Sequence, residues 1–361
     1  MSVEALARPD IVAMRPYSSA RKEAPGEGIL LNANEAPRSL LGEAGWEGRL
    51  NRYPEPQPER LVTALASLYG VPEEFVLVTR GSDEGIDLLT RVFCRAGQDA
   101  IMHCPPTFGM YRIAAQAQGA AVVAVTRNAD NAFLLDEARL LEALDGDSRI
   151  KLLFLTSPNN PTGDVIEART LENLLRRCRG RALVVLDEAY AEFCPHPSAT
   201  ALLGDHGNLV VLRTLSKAWA SAGLRCGTVL AQPEVIDLLR RVIAPYPLPS
   251  PVVALALRML EADMLERQGD LLREITANKM LLLNAVASRA FLREVIPGEA
   301  NFILVRAERA DELLSFCARR NVILRGFPGE PLLRDYIRIS VGSAADIKAL
   351  EAVLDEWENQ T

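Results

Sequence analysis

Along the middle of the chain, short aliphatic and β-branched runs alternate with segments in which apolar residues recur every three or four positions. The runs at 75–79, 100–103, 151–155, 182–186, 209–212 and 228–230 predict buried strands. After the first of them, Ile86, Leu89, Val92 and Phe93 share one face of a helix that opens at Ser82, a residue type suited to an N-cap. Strand–helix–strand alternation calls for a mostly parallel sheet with helices on both faces, joined by right-handed crossovers. The predicted fold class is α/β. No fixed-period repeat and no low-complexity tract competes with that reading.

A Pro-rich stretch, Ala244-Pro245-Tyr246-Pro247-Leu248-Pro249-Ser250-Pro251, interrupts the alternation, and a long helical pattern over 253–290 follows it. A domain boundary is expected there, giving an arm (1–29), a large domain (30–245) and a smaller α/β domain (246–361). Runs at 301–305, 322–324 and 336–341 predict the strands of the smaller domain. Its last helix opens on Ser343 with Asp346 three residues on, a capping-box pattern. The first thirty residues, with Pro9, Pro16 and Pro25 and little periodicity, look like an arm that packs on something else.

The chain has 361 residues, 49% of them hydrophobic and 24% charged, with a formal net charge of −7. That length allows about two domains with large cores, and the negative balance provides no field for a polyanion, so nucleic acid is not an expected partner. The six cysteines are scattered without a C-x-x-C pair, which reads as reduced, mostly buried thiols. Glu4, Arg8 and Asp10 break up any signal-peptide core, and no apolar run reaches the ~18 residues a membrane span needs. A cytoplasmic protein with no membrane partner is expected. Cys194, His196 and His206 fit no common zinc spacing, so no metal is expected, and Arg176, Arg177, Arg179 and Arg181 read as a solvated helix end.

The polar residues without an evident structural task follow the predicted strands: Gly81-Ser82-Asp83-Glu84, Ser157-Pro158-Asn159-Asn160-Pro161, Asp187-Glu188-Ala189-Tyr190 and Ser216-Lys217. In an open parallel sheet the carboxyl ends of the strands share one edge, where ligands bind. Topology alone therefore predicts one cleft holding a lysine, an aspartate, an asparagine, a tyrosine and several hydroxyls.

Three blocks in this set are ordered as in a known family. Asn160-Pro161-Thr162-Gly163, Asp187-Glu188-Ala189-Tyr190 and the run Thr214-Leu215-Ser216-Lys217-Ala218-Trp219-Ala220-Ser221-Ala222-Gly223-Leu224-Arg225 resemble the class II aminotransferases dependent on pyridoxal 5′-phosphate, of fold type I. The resemblance runs from Pro16-Tyr17 to Arg338. It implies that Lys217 forms the Schiff base and then shuttles the substrate proton, and that Asp187 pairs with the ring nitrogen. By the same likeness Asn160 and Tyr190 bond the ring's phenolic oxygen, and Ala189 and Phe108 enclose the ring. Gly81, Ser82 and Asp83 at a helix start, with Ser216 and Arg225, would cup the phosphate. Tyr53 would reach the phosphate of a neighbouring subunit, which implies a homodimer with a shared active site, and Arg338 would clamp a substrate carboxylate.

Further blocks, Pro16-Tyr17-Ser18-Ser19-Ala20-Arg21, Leu31-Asn32-Ala33-Asn34-Glu35, 104–111 and 244–248, are similar to the histidinol-phosphate branch of that family. This implies transfer of an amino group between histidinol phosphate and glutamate or 2-oxoglutarate, with Tyr17 and Arg325 on the substrate phosphate and Tyr246 lining the pocket. The departures are Phe108, where the family often has Tyr, Trp219 in place of a smaller aromatic, and Ser221 where an aliphatic is common; none removes a catalytic group. Related reactions on the same cofactor, such as decarboxylation of threonine phosphate or transamination of aromatic amino acids, differ in pocket geometry rather than in these motifs. A cofactor-binding DNA regulator would need a further domain that about thirty irregular residues cannot house.

Overall fold

The computed structural model describes residues 3–16, 31–41 and 50–360. Its strands are β1 (Val76–Thr79), β2 (Ala100–His103), β3 (Ala121–Ala124), β4 (Ile150–Thr156), β5 (Leu183–Asp187), β6 (Leu209–Thr214), β7 (Gly227–Ala231), β8 (Leu292–Ile296), β9 (Phe302–Ala307), β10 (Arg325–Gly326) and β11 (Tyr336–Ser340). The α-helices are α1 (Pro9–Ala13), α2 (Glu59–Tyr69), α3 (Ser82–Phe93), α4 (Met110–Gln118), α5 (Glu137–Gly146), α6 (Ala168–Cys178), α7 (Pro233–Arg240), α8 (Ser250–Met259), α9 (Ala262–Ala287), α10 (Ala310–Arg319) and α11 (Ala344–Gln360).

Seven strands form the first sheet in the order β1-β7-β6-β5-β4-β2-β3, parallel throughout except for β7, which runs against both neighbours. Its central strands are apolar on both faces because both are covered. Val184, Leu186, Leu153 and Val211 pack against α2, α5 and α6 on one side, whereas Val185, Phe154 and Leu212 pack against α3, α4 and α7 on the other. The described part of the N-terminal segment joins this second side. Leu6, Ala7 and Ile11 are buried there, Arg8 donates its backbone N–H to Val92 at 3.0 Å, and Arg241 bonds the Ile11 carbonyl at 3.2 Å.

The second sheet, β10-β11-β9-β8, is antiparallel. Only one of its faces is covered by its own helices: Ile303, Val305, Ile337 and Ile339 meet α9, α10 and α11. The alternate residues Leu304 and Tyr336 face the other way and pack on Phe133, and Phe302 packs on Ala189 and Tyr190, from the first sheet's side of the molecule. Arg338 belongs by its position to this second face.

Where local structure departs from the sequence expectations, the causes are visible. The long helix expected over 253–290 is two helices. Glu261 is extended (ψ 154°), and Arg258 bridges the break to Glu261 and Asp263. That break lets Ala256 on α8 remain with the first sheet's core while Leu282 on α9 enters the second. The strand expected at 322–324 instead forms its ladder at Arg325–Gly326; Val322 and Leu324 pack on the small core, and Ile323 points to solvent. Two strands, β3 and β8, go beyond the predicted set. Both lie at sheet edges, and β8 carries a register shift that breaks its alternation. The Ser343–Asp346 capping box is present, with Asp346 accepting from the Ser343 N–H at 2.9 Å and Ser343 Oγ accepting from the Asp346 N–H at 3.2 Å. No helix among the described residues is long and apolar enough to cross a membrane.

Candidate functional site

The four polar segments do converge at the carboxyl edge of the parallel strands. β5 ends on Asp187, which is 2% exposed. Its Oδ1 accepts the Ala189 N–H at 3.1 Å and its Oδ2 accepts the Tyr111 hydroxyl at 2.8 Å. Burial outweighs these two bonds and pushes the Asp187 carboxyl up to about 6, with the charges of Asp83 and Glu188 adding to the rise.

Lys217 follows β6, its Nζ 5.6 Å from the centroid of the Tyr190 ring. Burial lowers its pKa and the Arg338 charge lowers it further, against the pull of Asp83 and Asp187. Tyr190, also buried, has its phenol pushed up to about 12 by desolvation, and its oxygen accepts from Asn160 Nδ2 at 3.3 Å. Asn160 Oδ1 in turn accepts from Arg338 Nη1 at 2.5 Å. Arg338 therefore reaches from the second sheet to the edge of the first. Phe302 lies between its partners, with the Arg338 guanidinium 5.3 Å from the ring and Tyr190 edge-on at 5.3 Å. Among the described residues the buried Arg338 Nε has no partner.

A close backbone contact holds the two sheets at this distance. Glu299 donates its N–H to Gly163 at 2.7 Å, and a Cβ on Gly298 would stand 2.5 Å from Gly163 Cα. No side chain fits on either residue without moving a backbone. Lys279, on α9, donates to the Gly298 and Ala300 carbonyls at 2.6 and 2.9 Å and fixes the loop that makes this contact.

At the other end of the cleft, α3 starts at Ser82 with Gly81 as its N-cap, so the cap residue has no side chain to take up the first N–H groups. A Cβ on Gly227 would lie 2.5 Å from the Gly81 carbonyl carbon and 2.6 Å from the Ser82 nitrogen, so this turn rests directly on β7. Arg225 closes the turn: its Nη2 bonds Asp83 at 3.1 Å and its Nη1 bonds Ser216 Oγ at 3.4 Å. The result is a helix N-terminus with a guanidinium and a hydroxyl beside it, an arrangement suited to a phosphate.

Of the remaining expected residues, Phe108 is half-buried with its ring edge-on to Tyr111 at 5.7 Å, and Ala189 is buried next to Asp187. Arg325 pairs in register with Arg338 across the β10–β11 ladder, so both side chains lie on one face. Tyr53 and Tyr246 stack on each other, centroids 4.6 Å apart, beside a groove of about 360 Å³ that includes Glu35, Arg52 and Pro249. Tyr17 lies outside the described residues. Sequence reasoning did not assign Tyr111, Thr156, Thr107, Asn159 or Phe302 to the site. Tyr111 and Thr107 stand in the 104–111 block and Asn159 next to Asn160, but a hydroxyl's partner across strands is not encoded in spacing.

A sheet edge that gathers a desolvated lysine, a buried acid and an uncapped helix start is the layout of class I and II aminotransferases. The family model for aminotransferase class I and II matches residues 26–355, and the chain belongs to that family. Its relatives there carry a narrower name. The histidinol-phosphate aminotransferase of Cronobacter sakazakii is 41% identical over 357 residues, 99% of this chain and 98% of the relative. That of Aeromonas salmonicida is 44% identical over 359 residues, 98% of each. Among solved structures, the histidinol-phosphate aminotransferase from Sinorhizobium meliloti, in complex with pyridoxal-5′-phosphate, superposes with a TM-score of 0.77 at 24% identity, covering 86% of this chain and 83% of that one. The L-threonine-O-3-phosphate decarboxylase from Porphyromonas gingivalis gives 0.72 at 22% identity, covering 86% of this chain and 91% of that one. At these identities both superpositions speak for the fold alone, and the fold does not choose the reaction.

Proposed function

We propose that the chain transfers an amino group between histidinol phosphate and 2-oxoglutarate, with pyridoxal 5′-phosphate as cofactor, in histidine biosynthesis. The observation that carries this reading is the reach of Arg338 to Asn160, with Arg325 beside it: two guanidiniums on one face beside the cofactor edge suit one phosphorylated and one dicarboxylic substrate. Near-full-length identity to curated histidinol-phosphate aminotransferases supports the substrate pair.

The residues fit the cofactor. Asp187 is a buried carboxyl whose side-chain hydrogen bonds among the described residues come from a phenol and an amide, so a protonated ring nitrogen would supply a cationic donor there. Gly81, Ser82, Asp83, Ser216 and Arg225 would hold the phosphate, Asn160 and Tyr190 the phenolic oxygen, and Phe108 and Ala189 the ring faces. Bound pyridoxal phosphate supplies an electron sink for the bond broken at the substrate's Cα. Lys217, its ammonium destabilised by burial, would hold the cofactor and carry the proton at Cα as general base. Arg338 would grip the carboxylate of glutamate or 2-oxoglutarate. Arg325 and Tyr17 would bind the histidinol phosphate, with Tyr246 in the pocket wall.

The active unit on this reading is a cytoplasmic homodimer in which Tyr53 serves the neighbouring subunit's phosphate. The division into arm (1–29), large domain (30–245) and small domain (246–361) stands as part of the proposal, with the small core itself starting at Leu282. The test is product analysis: histidinol phosphate with 2-oxoglutarate should yield glutamate without release of carbon dioxide. Carbon dioxide from threonine phosphate, with no glutamate from histidinol phosphate, would replace this reading by the decarboxylase.

A further inference from the structure

Among the described residues, Tyr111 makes the only side-chain hydrogen bond to Asp187, and the proposed function gives it no role. It stands at the start of α4, fully buried, its ring stacked on Phe154 at 4.8 Å and 8°. Its oxygen is 2.8 Å from Asp187 Oδ2 and 2.8 Å from Thr156 Oγ1. Thr156 Oγ1 is 3.2 Å from Thr107 Oγ1, which is 2.7 Å from Asn159 Oδ1. The Asn159 amide is held one way round, because its Nδ2 donates to the Pro106 carbonyl at 3.0 Å and to Thr162 Oγ1 at 2.7 Å. Thr162 donates to Asp164, which pairs with the buried guanidinium of Arg127.

Each hydroxyl has one proton to give, and that count fixes what the chain can do. With Asp187 ionised, Tyr111 donates to it, Thr156 donates to Tyr111, and Thr107 donates to Asn159. With Asp187 protonated on Oδ2, the bonds reverse: Asp187 to Tyr111, Tyr111 to Thr156, Thr156 to Thr107, Thr107 to Asn159. The hydroxyls rotate, no proton passes among them, and Asp187 Oδ2 stays bonded to Tyr111 in either state; the ionised chain has one proton fewer, so there the 3.2 Å contact between Thr156 and Thr107 carries no hydrogen bond. The ionised state gains one charge-assisted bond that the neutral state lacks.

We propose that Tyr111 is a positioning residue for Asp187: it aims the carboxylate, favours its ionised form, and with Thr156 and Thr107 keeps Asp187 Oδ2 hydrogen-bonded whether the carboxyl is charged or neutral. The inference rests on the reading of Asp187 as partner of the ring nitrogen. The other charged and titratable groups facing Asp187 are Asp83 on α3, Glu188 and Tyr190 after β5, and Lys217 after β6. The two carboxylates favour the protonated form and the Lys217 ammonium opposes it.

The test is carboxyl titration of the full-length chain labelled with 13C at aspartate side chains, with the Asp187 signal identified by its loss in Asp187→Asn. Tyr111→Phe keeps the ring stack and removes the donor, so the Asp187 midpoint should rise by about one pH unit from its starting value. Thr156→Val takes away the acceptor that the Tyr111 hydroxyl needs when Asp187 is protonated, so it disfavours that form and should lower the midpoint. A Tyr111 that merely fills space would lower the melting temperature and leave the midpoint in place, and that result overturns the proposal. Should Tyr111→Phe lose its cooperative melt, Thr156→Val decides alone, with an unchanged midpoint again overturning it. Failure of the wild-type chain to take up pyridoxal phosphate would sink the proposed function and leave this titration readable.

Discussion

The proposed cofactor side and the proposed substrate side of the cleft are built differently. Asp187, Tyr190 and Tyr111 are buried on one sheet edge, each bonded to a neighbour that is itself held. The proposed substrate anchors stand on the second sheet and in loops: Arg325 is exposed, Tyr246 lies in a loop stacked on Tyr53, and of these only Arg338 crosses to the first sheet. Rigid burial suits a group that stays through every turnover, whereas exposed arginines suit two substrates that alternate. Mutations should separate the sides accordingly.

The largest effect should come from Lys217→Ala, with turnover falling by more than about 10⁴-fold; single-turnover kinetics that retain wild-type rates would remove Lys217 from its role. Arg338→Ala should cost about 100-fold in kcat/KM for glutamate while binding of pyridoxal phosphate changes little, because the residue belongs to the substrate side. Equal losses on both would erase the distinction.

Asp187 sharpens the comparison through pH. Its carboxyl ordinarily titrates near 3.8 and in the folded, ligand-free chain near 6. Between those values the folded state binds more protons than the unfolded one, so stability falls as pH rises from about 4 to about 6 and then levels off, by at most roughly 3 kcal/mol. Urea titrations should show that slope in the wild type, and Asp187→Asn should flatten it. Gly298→Ala, which pushes a methyl into the Gly163 backbone where the sheets meet, should cost roughly 2 kcal/mol of stability and weaken the glutamate half-reaction more than cofactor binding. The smallest effect is reserved for Arg325→Ala: about tenfold against histidinol phosphate and little against its dephosphorylated analogue, measured as a ratio of kcat/KM values.

The same contrast governs how much could be read from the chain. Strands β4, β5 and β6 each carry four consecutive apolar residues because both faces are covered, so their positions and the polar residues at their ends were visible from pattern alone. Asp187, Lys217, Asn160 and Tyr190 were found that way and by motif. The edge strands β3 and β8 lack that signal, and β10 is two residues long. Its register, which sets Arg325 opposite Arg338, is decided by pairing with β11 rather than by local sequence. Tyr111 and Thr156 are 45 residues apart and meet only because α4 packs over β4. The break between α8 and α9 at Glu261 has no Pro or Gly to announce it; the two helices part because each buries its apolar face in a different core.

The most direct test of the whole account is an absorbance measurement on the purified chain loaded with pyridoxal phosphate. Histidinol phosphate added without a keto acid should bleach the yellow of the lysine-bound cofactor, and 2-oxoglutarate should restore it. A protein that stays yellow with histidinol phosphate, or bleaches and does not recover with 2-oxoglutarate, would contradict the account.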